Sequence, residues 1–361
     1  MVEYCTRVHP VCQLDEGASL KTVGSMSPVS IKDIARAAGV SHSTVSRALR
    51  DSPLVSPETK ARIKRLAEEM GYSPSAVARG LVTRRTRTVG MVVTSIADPF
   101  VAEVMRGVED AAHQAGYSVF LSSSRAIPER EISVVRTFRQ RRVDGVIVTA
   151  SRVGSLYAPL LEEIQVPVVL INNQQPGTYT YSVSMDDREG AQMAVDHLLQ
   201  LGHRRIGYIG CVHREASSQA REAGYRAALE AHGISPDPRW MVYPTETEDV
   251  QNGQIGLDLL LALPSPPTAI FCYNDMTAIG VLQRCYRRGI RVPDDLSLVG
   301  FDDIAIAAYT IPPLTTVRQP KYEMGYQAME MVLDLLEDHP VEDVLVQGTL
   351  IVRDSCQPPN T

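Results

Sequence analysis

The sequence predicts a small all-α head followed by a larger α/β body built as two doubly wound parallel-sheet lobes. Three observations carry this expectation. Residues 30–71 hold three short amphipathic helices with capping residues at their ends. From Val89 onward, short apolar strands alternate with amphipathic helices. That alternation restarts near Arg204, giving more strands than one compact sheet usually holds.

A chain of 361 residues is long enough for two or three domains, each with its own core. Its 44% hydrophobic and 22% charged residues are ordinary for a soluble globular protein, and no apolar run approaches the roughly 20 residues of a membrane helix. The opening MVEYCTRVHPVCQLDEG lacks the basic start and apolar stretch of a secretory signal, so the expected location is cytoplasmic. Scattered cysteines (Cys5, Cys12, Cys211, Cys272, Cys285, Cys356) read as reduced thiols. Cys5, His9 and Cys12 offer three zinc ligands without a fourth, so neither a metal nor a cofactor is expected. Residues 1–27 read as a disordered tail.

The net charge of −6 conceals an asymmetry. Residues 26–90 hold twelve basic side chains against five acidic ones, a balance of +7, while residues 91–361 carry −12. A cationic head on an acidic body suggests a polyanion-binding module joined to a part that repels polyanions.

Within the head, taken as 28–73, Ser30 and Asp33 form a capping box for SIKDIARAA, and Gly39 ends that helix. Ser41 caps the second helix, in which Val45, Ala48 and Leu49 are the inward set. Ser56 and Pro57 open the third, which has Ile63, Leu66, Ala67 and Met70 inward and Gly71 as its stop. Two helices joined through one glycine and a capped turn, closed by a third, make a helix-turn-helix unit. The following stretch, YSPSAVARGLVTRRTRT, allows barely two helical turns and is weakened by Gly80, so residues 74–88 read as a hinge that is helical only conditionally.

In the body, 89–361, the strand candidates are TVGMVVT, YSVFLSS, GVIVTA, VPVVLIN, RIGYIG, TAIFCYND and LSLVGFDD. Helices such as FVAEVMRGVEDAAHQAG, REGAQMAVDHLLQLG and DMTAIGVLQRCYRRG lie between them. Lobe 1 is placed at about 89–184 and 318–342, and lobe 2 at about 185–317 and 343–361. Doubly wound sheets bind ligands beyond their strand C-termini, where this chain has Asn172, Asn274, Asp302 and Asp303.

A helix entering the DNA major groove needs short polar side chains on its wet face, and the second helix shows His42, Ser43, Ser46 and Arg47 there. Arg47 can grip guanine O6 and N7 or a phosphate, and His42 and Ser43 stand at the helix N-terminus, which usually meets the bases.

The segment SIKDIARAAGVSHSTVSRALRDSPLVSPETKARIKRLAEEMGYSPSAVARGL is similar to the DNA-binding head of the lactose repressor/galactose repressor family. The similarity continues through VGMVVTSIADPF, RRVDGVIV, LGHRRIGYIG, AIFCYND, LSLVGFDD and PPLTTVRQP, from about Ser27 to Ser355. It implies lobes of the periplasmic-binding-protein type, and a transcriptional regulator that binds a pseudo-palindromic double-stranded operator as a homodimer under control of a small-molecule effector. His42, Ser43 and Arg47 then correspond to base-reading residues. Ser30, Ser41, Thr44, Ser46, Ser56 and Thr59 correspond to phosphate contacts or caps. Leu81 corresponds to a minor-groove wedge, and Ala78 to the small residue where two hinge helices pack. In the cleft, Arg221 and Asp302 are the implied hydroxyl-binding pair, with Asn172 and Asn274 as further ligand-facing positions. Phe100 and Phe271 are placed against a flat ligand face, Phe271 equally readable as core, and Asp98 as either ligand contact or cap.

The departures from the family also inform. Val101 beside Phe100, and Asn173, stand where purine-binding members carry an aromatic residue and a tryptophan, which favours a sugar or polyol effector. The ending RDSCQPPNT has no leucine heptads, which favours a dimer over a helical tetramer. Two other classes compete. A two-lobe sugar-binding protein would not need the basic head, and an enzyme would need a P-loop, a dinucleotide fingerprint, HExxH or a nucleophile elbow, none of which the sequence contains.

Overall fold

The computed structural model describes residues 29–72, 85–151, 165–173 and 181–360. Ala78, Gly80 and Leu81 of the expected hinge, and Cys5, His9 and Cys12, lie outside them. The chain divides into two compact units.

In the first unit, helices α1 (Ile31–Ala38), α2 (His42–Leu49) and α3 (Pro57–Glu69) begin and end where their caps dictate. Ser30 and Asp33 close a capping box, Gly39 takes the left-handed conformation at φ 64°, and the Ser41 and Ser56 side chains accept the backbone N–H of Thr44 and Thr59. Ile34, Val45, Ala48 and Ile63 fill the core among the three helices.

The second unit contains strands β1 (Thr88–Val93), β2 (Ser118–Ser123), β3 (Gly145–Thr149), β4 (Val168–Ile171), β5 (Tyr181–Met185), β6 (Ile206–Ile209), β7 (Met241–Val242), β8 (Ala269–Cys272), β9 (Ser297–Asp302), β10 (Thr315–Arg318), β11 (Val344–Val346) and β12 (Thr349–Ile351). Its described α-helices are α4 (Pro99–Gln114), α5 (Pro128–Gln140), α6 (Asp187–Gln200), α7 (Glu215–Ala231), α8 (Asp249–Leu261), α9 (Asp275–Arg288) and α10 (Lys321–Leu336). One sheet has the order β11-β5-β4-β3-β1-β2 and the other β12-β10-β9-β8-β6-β7. Every pairing is parallel except β10 with β12. Alternate residues of the first sheet feed two separate cores. Met91, Ile147 and Ile171 meet α4 and α10 on one face, while Val92, Val146 and Leu170 meet α5 on the other. The second sheet is likewise covered by α6 and α7 on one face and by α8 and α9 on the other.

Two details differ from the sequence reading. Residues 343–361 do not all join the second lobe: Val344–Val346 pairs in parallel with Val183–Met185, so the last crossing between lobes falls between Val346 and Thr349. Strands β5, β7, β10, β11 and β12 are not among the strand candidates of the sequence; four of them hold two to four residues. Among the described residues no helix is long and apolar enough to cross a membrane.

Close backbone contact sets the positions of the helices that carry cleft residues. A Cβ on Gly224 of α7 would stand 2.2 Å from the Arg188 carbonyl oxygen of α6, three residues beyond Arg221. Gly224→Val is therefore expected to lower stability by about 3 kcal/mol through overpacking, read as a lower urea midpoint. An unchanged midpoint would show that α6 and α7 are not locked at this contact.

Candidate functional site

Helix α2 presents His42, Ser43 and Arg47 as exposed side chains, with Val45 and Ala48 fully buried beneath them. Its N-terminus is a tight hydroxyl cluster, Ser41 Oγ lying 2.7 Å from Ser43 Oγ and 2.8 Å from Thr44 Oγ1. Ser46 is engaged by Arg50, which donates to its Oγ at 2.7 Å and to its carbonyl at 3.1 Å. The guanidinium of Arg47 has no hydrogen-bond partner among the described residues and projects from the exposed face. Ser41 and Ser56 cap through their hydroxyls, which fixes these beside N-terminal N–H groups, the polarity that also suits phosphate, whereas the Ser30 hydroxyl donates to Asp33 Oδ2 at 2.6 Å.

The cleft of the second unit lies at the strand C-termini of both lobes. Thr94, Asp98, Phe100, Ala150 and Asn172 line it from the first lobe, Arg214, Ser217, Arg221, Tyr273 and Asp302 from the second, and Gln319 from the crossing between them. Its closed centre encloses about 20 Å³, room for about one water molecule, so a larger ligand at that point has to part the lobes or displace side chains. Wider cavities of about 550 and 270 Å³ adjoin it, the first beside Thr94, Asp98 and Arg214 and the second beside Asn172 and Ser217. Several strand ends here are held outside ordinary backbone space, with φ at +48° for Ala150 and Asn172, +110° for Asp302 and +51° for Asp303. Such strain persists where the surroundings over-determine it, as at ligand sites.

Arg221 is the centre of the network. Only 3% exposed, it donates to Asp187 Oδ1 at 2.8 Å through Nε and to the Tyr273 carbonyl through Nη1, and it lies 3.9 Å from Asp302 Oδ1. Its guanidinium carbon sits 3.7 Å from the Phe301 ring centroid and 4.5 Å from that of Tyr273. Burial opposes its charge, but Asp187, Tyr273 and Asp302 more than offset this and raise its pKa. Asp302 Oδ1 accepts from Gln319 Nε2 at 2.7 Å, Gln319 Oε1 accepts from Asn172 Nδ2 at 3.2 Å, and Asn172 Oδ1 accepts the Met185 N–H at 3.1 Å. This chain of hydrogen bonds runs from one lobe to the other. A second link joins them at the cleft edge, where Arg214 donates to Asp98 Oδ2 at 3.1 Å while Asp98 Oδ1 caps α4 through Phe100 N–H.

The structure thus brings Asp98, Phe100, Asn172, Arg221 and Asp302 together. It does not bring Phe271 or Asn274 to them. Phe271 is fully buried in the second-lobe core, its ring centroid 5.5 Å from that of Tyr208 and 6.4 Å from that of Phe301. Asn274 is consumed as the cap of α9, accepting from Thr277 N–H and Oγ1 and donating to Asp249. Arg214, Gln319, Asp187 and Tyr273 receive no role from the sequence alone. Gln319 lies in VRQP, inside a segment that carries the family resemblance, and Tyr273 directly precedes Asn274. Among the described residues no group of His, Cys, Asp and Glu is arranged to hold a metal ion.

A family model of bacterial regulatory proteins, lacI family, matches residues 30–75, and one of a periplasmic binding protein-like domain matches residues 195–356. The HTH-type transcriptional repressor CytR of Escherichia coli (strain K12) is 34% identical over 341 residues, 94% of this chain and 99% of its own. The chain belongs to the lacI family of bacterial regulatory proteins. The HTH-type transcriptional repressor PurR of Aliivibrio salmonicida (strain LFI1238) is also 34% identical, over 309 residues covering 85% of this chain and 92% of that protein. Among solved structures, the Lac repressor dimer bound to operator and the anti-inducer ONPF aligns with a TM-score of 0.82 at 27% identity, covering 91% of this chain and 99% of that one. The transcriptional regulator CelR in its cellobiose complex aligns at 0.68 and 30% identity, covering 91% and 99%. As a lacI-family protein, this chain is a DNA-binding transcriptional repressor with an effector domain of two parallel-sheet lobes, and not an enzyme.

Burial pushes the Asp302 carboxyl up to about 6 against the pull of Arg221, Arg214 and Lys321. The folded repressor therefore holds a proton there that the unfolded chain has released above about 3.8. This contribution is complete below pH 4 and lost as pH rises to about 6, on the order of 3 kcal/mol. Urea titrations of wild type and Asp302→Asn across pH 4–7 should show a smaller fall of stability with pH in the variant, the buried Asp187 and Asp275 carboxyls, also pushed up, supplying the rest; equal slopes would place the buried proton elsewhere.

Proposed function

We propose that this repressor reads a pseudo-palindromic operator as a homodimer through α2, and that a sugar or related polyol in the inter-lobe cleft controls that binding. The observation that carries the effector reading is the row Asn172–Gln319–Asp302–Arg221, in which two amides, a carboxylate and a guanidinium follow one another along the cleft. A run of donors and acceptors suits a ligand with several hydroxyls, each able to donate and accept. Phe100 adds one aromatic face, and Val101 beside it offers no second ring. Solved relatives in complex with cellobiose and with ribose support the same class.

In the head, His42, Ser43 and Arg47 are assigned to base edges, and Ser30, Ser41, Thr44, Ser46 and Ser56 to the backbone beside them. Residues 74–88 are assigned to a hinge, with Leu81 as the wedge and Ala78 as the packing position. The dimer is supported by the exposed apolar side chains Ile306, Tyr309 and Ile311 on one stretch of the second lobe, the last 94% exposed. Because the centre of the cleft has little free volume, a ligand there binds one lobe arrangement better than the other, and operator affinity responds in so far as the operator also prefers one of the two.

Two measurements test this reading. In a thermal-shift screen, sugars such as ribose, xylose or cellobiose are expected to stabilise the protein by about 2.7 kcal/mol at a hundredfold excess over Kd, and Asp302→Asn to remove the effect. Stabilisation by nucleobases alone would overturn the sugar assignment. Arg47→Ala is expected to weaken operator binding by about 1–3 kcal/mol with the head still folded; undiminished affinity would remove Arg47 from the recognition set.

A further inference from the structure

The body carries a charge of −12 from residue 91 on, yet one end of its first lobe is rich in arginine. Arg139 near the end of α5, Arg141 and Arg142 just beyond it, and Arg87 just before β1 are all exposed. They form one surface, because Thr86 Oγ1 donates to the Arg142 carbonyl at 2.7 Å, Arg142 N–H to the Arg139 carbonyl at 2.8 Å, and Asp144 N–H to the Thr88 carbonyl at 2.8 Å. The acid among them is already committed. Asp144 is 8% exposed, and its oxygens accept the N–H groups of Thr86 and Arg87, each at 2.8 Å, and the Thr86 hydroxyl at 3.0 Å. Of the other described acids at this end, Asp334, Glu337 and Asp338 are carried by or follow α10, which packs on the opposite face of the sheet from α5, and Glu342 and Asp343 precede β11 at the far edge of the sheet, where Asp343 accepts the Ser182 N–H at 2.7 Å.

We propose that this arginine surface is a second DNA contact, gripping phosphates of the duplex outside the base pairs that α2 reads. The inference rests on the DNA-binding function proposed for the head and extends it to the body. Arginine suits the task, since its planar fork bonds phosphate bidentately and stays charged at any physiological pH. Phosphate contacts of this kind position a protein without specifying a site. Residues 73–84 join the head to Arg85 at this same end of the lobe, a tether of at most about 40 Å when fully extended.

The test uses the full chain and an operator it selects from a random duplex pool, embedded with about three helical turns of flanking DNA on each side. The slope of log affinity against log salt is compared for wild type, for Arg141→Gln/Arg142→Gln, and for Arg125→Gln/Arg130→Gln. The last pair removes the same charge at the opposite end of the lobe, where Arg130 bonds the Ser123 carbonyl at the end of β2. The first variant is expected to flatten the slope by about 1 for each phosphate it no longer grips, with an unchanged melting temperature, and the second to leave the slope as in wild type. A wild-type slope for Arg141→Gln/Arg142→Gln, or equal flattening by both variants, overturns the inference. If no operator is selected, the DNA-binding function itself fails and this inference falls with it.

Discussion

The effector domain depends on keeping one charge dry. A guanidinium removed from water is costly unless its donors are matched and its charge answered, and Arg221 meets both needs through groups from several parts of the second lobe. Asp187 comes from the first turn of α6, the Tyr273 carbonyl from the residue after β8, and Asp302 and the Phe301 ring from the end of β9. None of these is local to Arg221 in sequence. The lobe has to be assembled before the arginine is tolerable, and once assembled the arginine fixes the strand ends around it. Gly224, which lets α7 lie against α6, belongs to the same requirement.

Because Asp302 also accepts from Gln319, and Gln319 from Asn172, the consequences of that burial reach the other lobe. The chain crosses between lobes near Asp186, at Gln319–Pro320 and between β11 and β12, and Gln319 sits on the second of these crossings. At that crossing Lys321, 3% exposed, donates to the carbonyls of Asp302 and Asp303. A ligand that takes over hydrogen bonds of Asp302 or Asn172 therefore acts directly on a segment that crosses between the lobes. The Arg214–Asp98 pair at the cleft edge adds a bond that exists only while the lobes are together. Two arrangements separated by a few such bonds make the kind of bistable element through which small ligands shift populations.

Much of this was legible in the sequence, for identifiable reasons. The head helices are announced by side-chain chemistry, with Ser30, Ser41 and Ser56 as starts and Gly39 as a stop, and the structure uses each in that way. The central strands are short apolar runs covered by helices on both faces, so β1, β3, β4, β6, β8 and β9 stand out by composition. Edge strands escape because β7, β11 and β12 hold only two or three residues with mixed burial. Within the site, residues at the very ends of strands are legible, and those whose role depends on depth along a strand or on a cap are not. Phe271 lies within β8, buried in the core, while Tyr273, of the same parity but just beyond the strand end, reaches the cleft, so depth along the strand decides; Asn274 is followed by the helix it caps. Gln319 and Arg214 stand in connecting segments without periodicity, where only the assembled lobes reveal what they touch.

The proposed control of operator binding by a cleft ligand requires thermodynamic reciprocity between the two. Operator affinity is measured with and without a saturating cleft ligand, and ligand affinity with and without saturating operator. Two equal ratios well away from one are expected, both collapsing towards one in Gln319→Ala, where the inter-lobe relay is cut. Ratios of one in wild type, with ligand and operator each still bound, would contradict the proposed control.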